Sequence, residues 1–135
     1  MELRIDAASA VPIYAQVVDQ VRSLVASRAL RAGDQLPSVR DLAVTLRVNR
    51  NTVAKAYQIL EADGVIETRA GQGSFIADGT PRWSKEERYR RVEHALDRSL
   101  VEAHHLDVPF EEVPRLLDRR IRTFTRRPHE KTGKE

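Results

Sequence analysis

Apolar residues recur along the first sixty positions with a helical period, which then gives way to short strand-like runs. Ile13, Val17, Val21 and Val25 stand four apart with Leu24 on the same face. That spacing predicts a first helix beginning at Pro12, since proline suits the first helical position. The stretch RAGDQLP breaks it through Gly33 and Pro37. A second helix follows, with Leu42, Ala43 and Leu46 as its stripe and Ser38 and Asp41 as a capping box. It ends near Arg47, and only Arg-Val-Asn separates it from a third helix capped by Asn49. Val53, Ala56, Tyr57 and Leu60 face one way on that helix, while Asn51, Lys55 and Gln58 face the other. Tyr57 therefore reads as a core residue with its hydroxyl at the surface. Gly64 stops the helix.

After Gly64 the runs VIET and SFIA flank RAGQG, which predicts a β-hairpin. A glycine-rich loop can also cradle a phosphate, but a dinucleotide fingerprint needs a third glycine and a following helix. Here Gly71-Gln72-Gly73 runs into Phe75-Ile76, a strand, and no Lys-Ser/Thr follows. The glycines read as a hairpin tip that needs positive φ. Asp78 to Trp83 reads as a linker. Ser84 and Glu87 form a second capping box, opening a fourth helix with Tyr89, Val92, Leu96, Ser99 or Leu100, and Ala103 as its stripe. His104 to Pro109 breaks it. A fifth helix carries Phe110, Val113, Leu117, Ile121 and Phe124 on one side, and the tail from 128 reads as disordered.

Three helices, a tight turn between the second and third, and a hairpin describe a winged helix-turn-helix. The polar N-terminal end of the third helix suits base recognition in a major groove. Charge sharpens the picture. The net charge of +3 is weak, but Arg40, Arg47, Arg50 and Lys55 cluster against a single Asp41. There is no cysteine among the 135 residues, which excludes disulfides and thiolate metal sites. His94, Glu102, His104, His105 and Asp107 lack the spacing of a metal site, and no metal or cofactor is expected. The carboxylates are scattered and no nucleophile stands beside a base, so no enzyme is expected. No apolar run approaches a membrane span and the N-terminus lacks the order of a signal peptide, so the expected location is the cytoplasm.

The segments PIYAQVVDQVRSLV and GDQLPSVRDLAVTLRVNRNTVAKAYQILEADGVIETRAGQGSFIA closely resemble the DNA-binding domain of GntR-family bacterial transcription regulators. The resemblance covers roughly residues 11–77, and VNRNTVAKAY with the short remainder looks most like the YtrA-type subfamily. It implies that Ser38 and Arg40 contact phosphate and a base. Asn49, Arg50, Asn51 and Thr52 would face the operator at the start of the third helix, and Lys55 would reach a phosphate or base edge. Arg69, Gln72 and Gly73 would form the wing contact. Asn49 replaces the family's usual serine or threonine and keeps the cap, and Ala54 stands where much of the wider family has arginine.

The expected fold is mainly α: a winged helix-turn-helix with a two-stranded wing over 1–80, then a C-terminal two-helix dimerisation extension over 81–127. Tyr89, Val92, Leu96, Leu117, Ile121 and Phe124 would form the dimer contact, leaving 128–135 as the disordered tail. The expected function is a homodimeric repressor on palindromic double-stranded operator DNA. The alternative is a winged-helix module that binds protein. A small-molecule effector is left open, since the short C-terminal part offers little room for a pocket.

Overall fold

The computed structural model describes residues 1–79 and 83–133, with side chains to Arg126. The linker expected at 78–83 and the last two residues of the expected tail therefore fall partly outside the described residues. The chain divides into two compact units, 1–80 and 81–135.

In the first unit, α1 (Ile13–Ala26), α2 (Val39–Leu46) and α3 (Arg50–Ala62) precede β1 (Ile66–Arg69) and β2 (Gly73–Ile76). The caps follow from the side chains expected to make them. Ser38 Oγ accepts from the Asp41 N–H at 3.0 Å, and Asn49 Oδ1 accepts from the Asn51 N–H at 2.7 Å. Pro12 lies one residue outside α1, as its N-cap with ψ 148°, rather than as its first helical residue. The tight turn is closed by Arg47, whose φ of 58° lets the Val48 N–H reach the Ala43 carbonyl at 3.0 Å. At the end of α3, Gly64 takes φ 78° and the Val65 N–H returns to the Leu60 carbonyl at 2.9 Å.

α3 packs on α1, α2 and β1. Val53, Ala56, Tyr57 and Leu60 are buried on it, against Val17, Val18 and Val21 of α1, Leu42 and Ala43 of α2, and Ile66 and Ile76 of the hairpin. This apolar burial is the unit's driving force. β1 and β2 pair antiparallel with Ile66 opposite Ile76 and Arg69 opposite Gly73. A third rung lies beside them. Residues 33–36 run along β2, with the Gly33 N–H on the Ile76 carbonyl, the Ile76 N–H on the Asp34 carbonyl, and the Leu36 N–H on the Ser74 carbonyl, at 2.8–2.9 Å. The sequence pattern shows only a break there, because so short a backbone pairing carries no periodic signal.

The Tyr57 hydroxyl is not at the surface. The residue is 6% exposed, and its hydroxyl donates to the Pro37 carbonyl at 2.7 Å. Burial pushes its pKa up from 10.0 to about 12. The extended segment before α1 is also held. Gln20 exchanges two hydrogen bonds with the Arg4 backbone, at 2.8 and 2.7 Å, and Gln16 does the same with Asp6, both at 2.9 Å. These amides imitate a neighbouring strand, and Leu3 and Ile5 pack against the core.

In the second unit, α4 (Lys85–His105) is followed by a 3₁₀ turn (Phe110–Glu112) and α5 (Val113–Gly133). Ser84 Oγ caps α4 by accepting from the Glu87 N–H at 3.2 Å. Phe110 belongs to the 3₁₀ turn and not to the fifth helix, because Pro114 supplies no N–H to continue the ladder backwards. The backbone of α5 continues as helix to Gly133, where the composition predicts disorder from 128; once nucleated, a helix adds one hydrogen bond per residue fixed. Among the described residues, no helix is long and apolar enough to cross a membrane.

Tyr57→Phe is expected to cost about 1–2 kcal/mol, because the Pro37 carbonyl loses a buried partner. The neutral phenol is favoured in the folded state, so its contribution is whole below pH 10 and falls as pH rises toward 12, by up to about 3 kcal/mol. Chemical denaturation of both proteins at pH 8 to 12 checks this: the gap between them should be constant to pH 10, close above it and reverse as pH approaches 12.

Candidate nucleic-acid interface

The N-terminal ends of α2 and α3 carry most of the residues expected to meet a nucleic acid. Arg40 is exposed in the first turn of α2, and Arg50 and Asn51 are exposed in the first turn of α3, with Thr52 half-buried beside them. Both helix starts have backbone N–H groups without helical partners, which favour an anion. Ser38 spends an oxygen lone pair on the Asp41 N–H and keeps its hydroxyl proton to donate. Asn49 spends its carbonyl oxygen on the cap and keeps its NH₂ group. Among the described residues, none of Arg40, Arg47 and Arg50 takes part in an ion pair. Their charge is uncompensated at contact distance, which is what a phosphate requires.

Lys55 is exposed one turn further along α3, and its Nζ lies 4.0 Å from the centre of the Tyr14 ring. An exposed contact of this kind is worth about 0.5–1 kcal/mol, too little to withhold the ammonium from a phosphate but enough to restrict where it sits. No sequence pattern marks Tyr14, since it lies beside the Ile13–Val17–Val21 stripe rather than on it.

The wing is differently disposed. Arg69 stacks on Phe75 at 4.0 Å and pairs with Glu67 at 2.9 Å. The pair is solvent-exposed and worth about 0.2–1 kcal/mol, so exchanging the carboxylate for a phosphate is cheap. Gly71 and Gly73 take φ of 73° and 112°, as a tip with obligatory glycines requires. The Gln72 N–H closes the turn on the Arg69 carbonyl at 2.9 Å, and the Gln72 carbonyl accepts from Gln35 Nε2 at 2.8 Å. Gln35 is not part of any motif or stripe in the sequence. Its only sequence signal is a polar residue one position before the buried Leu36.

The second unit presents the residues expected at a dimer contact differently from a closed hairpin. None of its described side chains is buried. Val92 is 60% exposed and Ile121 51%; Tyr89, Leu96 and Leu117 are also exposed, and Phe124 is half-buried. Neither helix covers the other's stripe.

Residues 13–76 match the family model of bacterial regulatory proteins, gntR family. The HTH-type transcriptional repressor YtrA of Bacillus subtilis (strain 168) is 36% identical over 111 residues, covering 82% of this chain and 85% of the relative. A transcriptional antiterminator from Listeria monocytogenes EGD-e is similar in structure, with a TM-score of 0.79, 33% identity and 92% of each chain covered. The AraR DNA-binding domain in complex with operator ORX1 is similar at a TM-score of 0.50 and 25% identity, over 57% of this chain and 96% of that one.

Two substitutions separate base reading from phosphate binding at this surface. Arg40→Ala should lose discrimination between a selected and a scrambled duplex, at about 1–3 kcal/mol. Lys55→Ala should weaken both duplexes alike and flatten the dependence of log K on log salt by about one unit. Fluorescence anisotropy across a salt series reads both outcomes.

Proposed function

The chain belongs to the GntR family of bacterial regulatory proteins, and from that premise we propose that it works in the cytoplasm as a homodimeric repressor on a palindromic operator. It is a transcription regulator with a helix-turn-helix DNA-binding domain, similar to YtrA, and it is not an enzyme. In the proposed complex the start of α3 enters the major groove, with Arg50, Asn51 and Thr52 toward base edges and Asn49 holding the helix start. Ser38 and Arg40 engage the adjacent backbone and a base, and Lys55 a phosphate. Arg69, Gln72 and Gly73 bring the wing to the flanking duplex. Repression follows from occlusion of the promoter.

The observation that carries the dimer is the second unit's lack of buried side chains among those described. Two long amphipathic helices with uncovered stripes gain little from folding alone, since apolar area removed from water is what stabilises a helical pair. A second copy of the same unit supplies a matching pair of stripes through a two-fold axis. Tyr89, Val92 and Leu96 on α4, with Leu117, Ile121 and Phe124 on α5, make that contact. The same axis suits the task, because two recognition helices then meet half-sites about one helical turn apart. Joining two weak contacts raises affinity by about 10²–10⁴ through effective concentration.

The first unit has its own apolar core, so a chain ending at Pro81 should fold. It is expected to sediment as a monomer and to bind a half-site weakly. Leu117→Glu and Ile121→Glu should do the same in the full chain. Analytical ultracentrifugation decides it: a dimeric 1–81 fragment with full affinity would place the interface in the winged unit.

A further inference from the structure

Residues 33–38 touch every element that the DNA-binding reading uses except the start of α3 itself, and they reach α3 through one bond. Leu36 is buried in the core, the Pro37 carbonyl accepts from Tyr57 of α3, and Ser38 caps α2. The backbone of Gln35 bridges Phe75 in the middle of β2, while its side chain reaches forward to the wing tip. There Nε2 donates to the Gln72 carbonyl at 2.8 Å. A Cβ on Gly73 would stand 3.0 Å from that same nitrogen. The φ of 112° at Gly73 calls for glycine, and the flexible end of Gln35 occupies the space beside it.

From this geometry we propose that Gln35 is a positioning residue for the wing, fixing the Arg69–Gly73 tip relative to the Ser38–Arg40 helix start so that both meet one duplex. The proposal rests on the reading of the wing as a DNA contact. A two-stranded ribbon is weakly stable by itself, and its tip is held here at one point beyond its own pairing. Neighbouring Asp34 and Leu36 keep their backbone bonds to β2 whatever side chain stands at 35, so substitution there spares the rung. Gln35 acts through the tip and does not itself touch DNA.

The test uses the full chain and a duplex that the wild-type protein enriches from a randomised library. Gln35→Met keeps the length of the side chain and removes the donor; Gln35→Glu keeps the shape but replaces the donor with a charged acceptor, so Gln35→Met is the cleaner variant. Both are expected to bind about 3- to 10-fold more weakly, with melting unchanged. Combined with Arg69→Ala, either should add little to the loss from Arg69→Ala alone, because a tip without its arginine has less to position. Wild-type affinity in both Gln35 variants, with a loss in Arg69→Ala, would overturn the proposal and leave the wing contact standing. Additive losses would overturn it too, since Gln35 would then act outside the wing. No loss in Arg69→Ala would remove the wing from DNA binding and the proposal with it. If melting falls in Gln35→Met, the double-mutant comparison still decides, because general destabilisation does not couple to Arg69.

Discussion

A buried phenol must give its proton to something, and Tyr57 gives it to the Pro37 carbonyl. Pro37 stands just before the cap of α2, and the Asp41 N–H is taken by Ser38 Oγ, so the Pro37 carbonyl lies outside the helical ladder. One hydrogen bond thus ties the middle of α3 to the start of the helix before it. The apolar face of α3 sets the depth of that helix in the unit, and the bond fixes where Ser38 and Arg40 stand beside it. Without the bond, burial alone would leave the α1–α2 connection with an unpartnered carbonyl in a low-dielectric site.

The same economy governs the charges. Arg22 is paired with Asp63 at 3.1 Å, and Arg69 with Glu67 at 2.9 Å. Arg40, Arg47 and Arg50 have no such partner among the described residues. A domain whose first 81 residues are neutral in sum can still present a positive surface, because compensating carboxylates stand elsewhere. Arg47 adds a second function for its position. It takes a left-handed conformation that glycine would adopt more easily, and it keeps a cation at the turn.

The two units solve the burial problem in different ways. The first closes a core with three helices and a hairpin, each covering another's apolar face. The second has two long helices, a side-chain cap at Ser84 and no buried side chain among those described. In the proposed dimer, DNA recognition and subunit pairing fall to different units.

Much of this was legible along the chain. The caps at Ser38, Asn49 and Ser84, the stripe of α3, the stop at Gly64 and the glycine tip are local: each joins residues no more than about four apart, and such contacts leave a pattern in consecutive letters. The family likeness at Arg40, Arg50 and Lys55 was legible for the same reason, as a motif. The third rung at 33–36, the Gln35 amide on Gln72 and the Tyr57 hydroxyl on Pro37 were not. They join residues 37 and 20 positions apart in the two side-chain cases, and no period or cap announces them. Which polar group meets which depends on how the apolar faces settle against one another. That settling is a property of the packed core, and only the tertiary structure decides it.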